Sequence, residues 1–428
     1  MLLAPLILAA QLAVGRGPSV ARSLPSSDVL LVILDDVAAV DLACYGGLVP
    51  APNLDALAAQ GVRFDAAFAN PTCSVTRRSL LFGHWQFTDS GPPCSPPSPR
   101  SPTLADVCLP RLLDRTSVLV GKWHLGGAPS GALDLQAPFE HGFDHWVGGS
   151  QANVNDCGGS TYSSWRKVEE GFVAPSSAYE PYVLSARTRF WWDAIGSAKI
   201  VVVGSALAHG PMHAPPVDLL PPGHVVGGSA RARYEAMILA FDAILGQILA
   251  DVNLATTLVI VIGDNGTPIN VSPDPERSKT TTFERGIRVP LVIAGGTVAK
   301  PGRVSGELVH AVDVYSTILD WCGEDPPTLP QYQIVGVSLL PSLMETQQHA
   351  YHDHVLCGNA WGNPGGDRCA RTLAGKLRQL DDDGDDLPDR EEFYDLTIDP
   401  SESTDLSADP LRAAEIAVYR AWLAKGAF

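Results

Sequence analysis

The sequence is poor in positive charge. Its 428 residues include 30 Lys and Arg against 47 Asp and Glu, for a formal net charge of −17 at pH 7. Because this excess of negative charge repels phosphate backbones, the composition argues against a nucleic-acid partner. It also disfavours a highly charged polyanionic substrate, without excluding one.

Two further features are missing. The chain has no CxxC pair and no finger-like cysteine spacing, which argues against a structural zinc site. After the first fourteen residues, no apolar run reaches the length of a transmembrane helix, so we expect no stable membrane span.

What is present suits a loop-rich globular enzyme: 45% of the residues are hydrophobic and 18% are charged, with 40 Gly and 35 Pro. The opening stretch MLLAPLILAAQLAV is apolar but too short to span a bilayer comfortably, and we interpret it as a secretory signal. A hydrophobic strand or a lipid-facing anchor is the alternative. We expect a secreted or periplasmic protein with a signal peptide and linker over 1–24, a catalytic domain over 25–346 and a C-terminal subdomain over 347–428.

Five apolar runs predict strands of a parallel sheet that is covered on both faces. They are DVLLVILDD (28–36), TSVLVGKWH (116–124), AKIVVVGSALAH (198–209), TTLVIVIGDN (256–265) and VPLVIAGG (289–296). Helical patterns lie between or beside them, at 53–61 with Asn53 as a possible N-cap, at 231–250 and at 310–323. This alternation predicts an α/β fold with a doubly wound, mostly parallel sheet flanked by helices.

The composition changes beyond about residue 346. Residues 370–406 predict a strand, an acidic turn, a second strand and a polar tail, as in a small antiparallel subdomain. The turn resembles a calcium loop, with carboxylates at Asp381, Asp383, Asp385 and Glu392, but Gly384 is not where an EF-hand needs its glycine. We favour a solvated hairpin tip.

Four of the five predicted strands end in reactive polar residues. These are Asp35 with Asp36, Lys122 with His124, His209, and Asp264 with Asn265. Because ligand sites of open α/β sheets lie beyond the carboxyl ends of the strands, the four endings are expected to converge on one cleft. One such ending alone would more simply begin a loop.

The acidic endings predict a metal site. Asp35, Asp36, Asp264 and Asn265 offer only oxygen ligands and three formal negative charges. Such a set suits Ca²⁺ or Mg²⁺, and Ca²⁺ better if a substrate oxygen joins the ligands. An unpaired dicarboxylate directly after a buried strand would be costly, and a cation removes that cost. Asn265-Gly266-Thr267 also matches a glycosylation sequon, which we discount because the modification would occupy a metal ligand.

The basic residues supply positive charge and hydrogen-bond donors. They are Arg77, Lys122, His124, His209 and Lys279. Together with a metal they exceed what a neutral carbonyl substrate needs, whereas a tetrahedral oxyanion uses all of them. The set therefore predicts sulfuryl or phosphoryl transfer, although each histidine alone would more often be structural.

Cys73 is a candidate nucleophile. It precedes SVTRRSLLFG, a predicted short helix whose N-terminal amides should lower the pKa of the thiol and hold an anion, with Arg77 one turn further on. A buried small hydrophobic residue is the usual alternative for a lone cysteine. Among the eight cysteines, plausible disulfides in an exported protein are Cys94 with Cys108 and Cys357 with Cys369.

Taken in order, the motifs resemble those of the type I sulfatases of the alkaline phosphatase superfamily. They are VILDD (32–36), APNLDALAAQGVRFDAAFA (51–69), CSVTRRSLLFG (73–83), GKWHLG (121–126), AHGPMHAP (208–215), GDNG (263–266), SKTTTFERGIRVP (278–290) and EEFYDLTIDPSE (391–402). The resemblance runs from about residue 28 to the end and implies an alkaline phosphatase-like fold with a small C-terminal antiparallel α+β subdomain.

The resemblance also implies residue roles. Cys73 would be oxidised by a maturation enzyme to formylglycine, an aldehyde that hydrates to a gem-diol. Together with the modified Cys73, the implied calcium ligands are Asp35, Asp36, Asp264 and Asn265. The implied sulfate pocket consists of Arg77, Lys122, His124, His209 and Lys279.

The implied reaction has two halves. One diol hydroxyl, activated by the metal and Asp264, attacks sulfur while His209 and Lys279 assist departure of the alcohol oxygen. The second hydroxyl then loses its proton to His124, which expels sulfate and restores the aldehyde. Lys122 and Arg77 would hold the diol and neutralise charge.

Two positions depart from the family pattern. Val75 stands where the maturation signature CxPxR has proline or, less often, alanine, and Arg285 stands where many relatives have glycine. The predicted function is calcium-dependent hydrolysis of a small-molecule or carbohydrate sulfate ester. Two alternatives stay open: a phosphonate monoester or phosphodiester hydrolase on the same residues, and a catalytically silent binder of sulfated ligands if Cys73 is not converted.

Overall fold

The computed structural model describes residues 28–84, 102–103, 105–126, 136–149, 161–196, 198–296, 298–328, 335–345, 348–359 and 364–425, so the predicted signal segment 1–24 lies outside the described residues. The strands are β1 Asp28–Leu34, β2 Gly61–Phe64, β3 Ala67–Phe68, β4 Thr116–Gly121, β5 His145–Gly149, β6 Trp165–Glu169, β7 Phe172–Ser176, β8 Lys199–Gly204, β9 Thr257–Gly263, β10 Leu291–Ala294, β11 Arg303–Ser305, β12 Val309–His310, β13 Val355–Asn359, β14 Gly366–Arg371, β15 Gly375–Asp381 and β16 Arg390–Asp395. The helices are α1 Pro52–Ala58, α2 Cys73–Phe82, α3 Ala137–Glu140, α4 Glu180–Ala194, α5 Ala230–Leu249, α6 Glu284–Ile287, α7 Asp313–Cys322, α8 Leu340–Met344 and α9 Ala413–Lys425.

A ten-stranded sheet forms the centre of the molecule, in the order β11-β2-β10-β9-β1-β8-β4-β5-β6-β7. The five strands β9, β1, β8, β4 and β5 are parallel neighbours. Each of the five apolar runs forms a strand, which confirms the predicted α/β fold with its mostly parallel sheet.

The fifth run was expected to be parallel, and that prediction is wrong. Strand β10 pairs antiparallel with both β9 and β2. Parallel neighbours need a crossover that returns the chain to the far edge of the sheet. The segment 264–290 carries no long crossover helix, only a 3-10 turn and the short α6, so β10 starts at the edge where β9 ends.

Both faces of the sheet are covered, which explains the unbroken apolar runs. Alternate residues of β1 such as Leu30 and Val32 pack in a core with α1, α4 and α5. Their neighbours, such as Leu31 and Ile33, pack in a second core with α2, α7 and α8. The sheet is therefore doubly wound, as predicted.

The three predicted helices are present as α1, α5 and α7, and Gly323 ends α7 with a φ of 80°. Asn53 is not an N-cap, because Ala51 occupies that position. The Asn53 side chain instead donates a hydrogen bond of 2.8 Å to Asp242 of α5. This contact with another helix could not be anticipated from local spacing.

A separate antiparallel sheet, β13-β14-β15-β16, lies near the C-terminal end, and α9 packs on it. The predicted hairpin is β15 and β16, and α9 supplies the helix of the expected α+β subdomain, at a position that was not predicted. At the acidic tip, Asp383 and Asp385 are exposed, whereas Asp381 is buried and accepts backbone hydrogen bonds from Gly384 and Asp386.

The two predicted disulfides are not borne out by the residues that the structure describes. Cys357 and Cys369 lie opposite each other on β13 and β14 as free thiols, so the disulfide expected between them is not formed. The two residues pack instead in a small apolar cluster with Phe68 and Ile287. Cys94 lies outside the described residues, and Cys108 is a free buried cysteine, so the structure does not bear out the pairing predicted between them.

Candidate active site

The ends of β1 and β9 bring the predicted oxygen ligands together. The two strands are parallel neighbours, with Leu34 opposite Gly263, so the residues that follow them meet. The backbone amide of Asp36 donates to Asp264 Oδ1 at 3.2 Å, and Asn265 Nδ2 donates to Asp36 Oδ1 at 2.7 Å. Asp35, Asp36, Asp264 and Asn265 are all at most 2% exposed.

Three cationic side chains reach this carboxylate cluster from other elements. Lys122, after β4, places Nζ 2.5 Å from Asp35 Oδ2. Lys279 Nζ lies 2.5 Å from Asp36 Oδ1, and Arg77 Nε of α2 donates to Asp264 Oδ2 at 3.0 Å. His209 Nε2, after β8, lies 3.8 Å from Asp36 Oδ2. The predicted acidic and basic residues therefore occupy one site.

The cluster fits a divalent cation. Asp35 Oδ1 and Asn265 Oδ1 are buried and accept no hydrogen bond from any residue that the structure describes. Burial, and then the charge of Asp35, raise the pKa of Asp264 to about 7, because two carboxylates share a water-poor space. Buried oxygens without donors and crowded carboxylates are the surroundings in which a hard cation is stabilising.

Cys73 is the first residue of α2 and lies inside the cluster. One ligand atom each of Cys73, Asp35 and Asp264 lie within 4.8 Å of one another. Cys73 Sγ is 3.1 Å from His124 Nδ1. The predicted lowering of its pKa is wrong: burial raises the pKa of the thiol to about 11, although Lys122 and Lys279 oppose that shift. The thiol is therefore protonated at pH 7 and can donate a hydrogen bond to His124 Nδ1.

Both histidines of the site are held neutral at pH 7. Burial, and then the charge of Lys122, lower the pKa of His124 well below its usual value. Burial also lowers the pKa of His209, although Asp36 opposes the shift. His209 Nδ1 contacts the Gly210 carbonyl at 2.9 Å, which makes Nδ1 the protonated nitrogen and leaves Nε2 facing Asp36.

A family model described as Sulfatase matches residues 27–324. The chain belongs to the sulfatase family. It is a type I sulfatase of the alkaline phosphatase superfamily. Because its relatives are named sulfatases, the protein is a sulfuric ester hydrolase.

Individual relatives agree with this assignment. N-acetylgalactosamine-6-sulfatase of Homo sapiens is 29% identical over 382 residues, which cover 77% of this chain and 68% of that protein. Arylsulfatase A of Bos taurus is 29% identical over 386 residues, 81% of this chain and 72% of that protein. The solved structure of i-CgsB in complex with a neocarrahexaose matches with a TM-score of 0.76 and 19% identity, over 94% of this chain and 93% of that one, which supports the fold.

Several residues that hold this sulfatase site were not predicted. Tyr162 donates to the carbonyl of His209 at 2.8 Å, and Asp41 and Tyr234 contact the segments that carry the oxygen ligands. No spacing pattern marks these residues, because they contact the site across the fold. Asn265 and Thr267 are fully buried, which agrees with discounting the sequon.

Glu180, the first residue of α4, is a buried carboxyl of the sulfatase that interacts with Asp35. It is 2% exposed, and its Oε2 has no hydrogen-bond partner within the described part of the chain. Burial, and then the charge of Asp35, raise the pKa of Glu180 from 4.5 to about 8.

Glu180→Gln is therefore expected to stabilise the protein at pH 8 and to have little effect near pH 4.5. Between those values the folded state holds a proton that the unfolded state has lost, so stability falls by about 1.4 kcal/mol per pH unit. The variant lacks this dependence. Urea unfolding from pH 5 to 8.5 measures it, with the exposed Glu276→Gln as control. Parallel pH curves for Glu180→Gln and the unchanged protein would contradict the buried-acid assignment.

Proposed function

We propose that this sulfatase hydrolyses a small-molecule or carbohydrate sulfate ester with a bound Ca²⁺ and a formylglycine formed from Cys73. The observation that carries the proposal is the convergence of buried oxygen ligands, three cationic side chains and Cys73 at the carboxyl ends of four strands. The four proposed metal ligands are Asp35, Asp36, Asp264 and Asn265. Mg²⁺ is the second candidate metal, because it takes the same oxygen donors.

When bound, calcium would polarise the ester oxygens and the formylglycine hydrate would supply the attacking oxygen. Lys122 and Arg77, whose side chains are each 1% exposed, hold charge deep in the site. His124 is within hydrogen-bond distance of residue 73 and is neutral, so it can accept a proton there. These positions suit residues that orient the reacting centre and stabilise negative charge.

Lys279 is placed to assist the departing alcohol, and His209 lies beside it at the opening of the site. Their side chains are 15% and 20% exposed, whereas Lys122 and Arg77 are almost fully enclosed. An alcohol substituent has to extend toward solvent, so the partly exposed cation is the one placed to donate a hydrogen bond to its oxygen. Family membership favours sulfur over phosphorus esters as the substrate class.

The proposed carbohydrate substrate follows from relatives. One protein with a TM-score of 0.72 and 18% identity, over 94% of this chain and 97% of its own, was solved in complex with its substrate D-glucosamine-2-N,6-O-disulfate. We also propose a secreted or periplasmic location, from the apolar stretch 1–14 of the predicted signal segment. In the described residues, no helix is both long and apolar enough to cross a membrane.

Mass spectrometry of the peptide that contains Cys73 tests the modification. We expect the peptide from protein co-produced with a formylglycine-generating enzyme to be lighter than its unmodified form by about 18 Da, the difference between CH₂SH and CHO. The Cys108 peptide of the same digest is the control and should keep its cysteine mass. A Cys73 peptide that stays unmodified would favour the silent sulfate-binding protein, with Val75 as the reason the maturation enzyme fails.

A further inference from the structure

We infer that Asp41 and Tyr234 are positioning residues that clamp the two ligand-bearing segments, 35–38 and 264–267, into the geometry that binds the cation. The inference rests on the metal site of the proposed function. It concerns two residues that lie outside the set of ligands and sulfate-pocket residues.

Asp41 lies in the chain after β1 and is 1% exposed. Its Oδ2 accepts hydrogen bonds from Thr267 Oγ1 at 2.6 Å, from Tyr234 Oη at 2.7 Å and from the Ala38 amide at 3.3 Å. Its Oδ1 accepts from Arg231 Nη1 of α5 at 3.0 Å. One carboxylate therefore joins the segment after β1, the segment after β9 and α5.

Tyr234 connects this carboxylate to a proposed metal ligand. Its ring is fully buried, and its hydroxyl lies 2.9 Å from the carbonyl oxygen of Asp36 as well as 2.7 Å from Asp41. Asp36 has a φ of 63°, in the left-handed region that residues with a Cβ seldom occupy. The hydroxyl has one proton, which these two acceptors share, so it ties the backbone of Asp36 to Asp41 in a conformation that the chain alone disfavours.

Thr267 extends the clamp to the other side of the site. It lies two residues after Asn265, and its carbonyl accepts from the Lys279 amide at 2.9 Å. The hydrogen bond from Thr267 to Asp41 therefore fixes the distance between the segment of Asp36 and the segment of Asn265. Partners that orient metal ligands in this way raise metal affinity without contacting the metal.

Calcium titration of the cation-free full-length protein tests the inference by isothermal titration calorimetry. We expect Tyr234→Phe to weaken Ca²⁺ binding about tenfold and Thr267→Val to act similarly, whereas Thr267→Ser keeps the hydroxyl and near-normal affinity. The control is Tyr315→Phe, which removes the hydroxyl of another fully buried tyrosine, bonded to the Val107 carbonyl at 3.2 Å. Urea unfolding of each cation-free variant separates loss of affinity from loss of stability.

The calcium titrations can contradict the clamp and the metal site separately. Normal Ca²⁺ affinity in Tyr234→Phe and Thr267→Val would overturn the clamp and leave the proposed metal site intact. Equal weakening by Tyr234→Phe and Tyr315→Phe would also overturn the clamp, because a general packing defect would then explain both. If the unchanged protein binds neither Ca²⁺ nor Mg²⁺, the metal site of the proposed function is refuted, and the positioning role of Asp41 and Tyr234 is refuted with it.

Discussion

Replacing Cys73 with alanine is expected to lower sulfate ester turnover by at least about 1,000-fold, the scale on which an enzyme loses activity with its nucleophile. The reason is its position: the side chain lies within a cluster formed with Asp35 and Asp264 and contacts His124. Turnover of an aryl sulfate by the matured protein measures the effect. Because the change places a methyl group at one polar position, where the matured protein carries the proposed formylglycine, we expect the free energy of unfolding to change by about 1 kcal/mol or less.

The matched control for this variant is Cys44→Ala. Cys44 is a partly buried free cysteine that packs against the core on one face of the sheet. This control makes the same cysteine-to-alanine substitution at a residue outside the site and should leave turnover near normal. Substantial turnover by Cys73→Ala, with folding intact, would be incompatible with the nucleophile assignment.

Removing divalent cations is expected to abolish most of the activity and to lower the unfolding temperature. Without a cation, the carboxylates of Asp35, Asp36 and Asp264 share one buried space, and buried oxygens of Asp35 and Asn265 lack donors among the described residues. A cation whose free concentration is 100 times its dissociation constant would raise the free energy of unfolding by about 2.7 kcal/mol. Activity and thermal unfolding after chelation, and again after excess Ca²⁺ or Mg²⁺, measure both effects.

Asp36→Asn is the comparison variant for chelation. It removes one negative charge from the cluster while keeping the size of the side chain, so it should bind the cation more weakly and gain less stability when Ca²⁺ is restored. Better recovery with Ca²⁺ than with Mg²⁺ would support calcium as the resident ion. Full activity after thorough removal of both ions would refute the metal role of the acidic cluster.

The sequence alone determined five strands of the ten-stranded sheet and which edge of the sheet carries the site. Residues 29–34 and 258–262 are apolar throughout because both faces of their strands are covered, and this pattern can be read directly from the sequence. The polar residues after them then had to meet, because carboxyl ends of parallel strands share one edge. The motifs around Cys73, Lys122 and Lys279 carried the family resemblance as well.

Tertiary structure alone decided properties that depend on distant parts of the chain. The direction of β10 follows from the path of the segment before it, and the raised pKa of Cys73 follows from burial that outweighs the charges of Lys122 and Lys279. The hydrogen bonds of Asp41 and Tyr234 join residues 193 positions apart in the sequence. Hydrophobic periodicity is local, whereas burial, strand direction and long-range hydrogen bonds depend on how separate segments pack, and so only the folded chain specifies them.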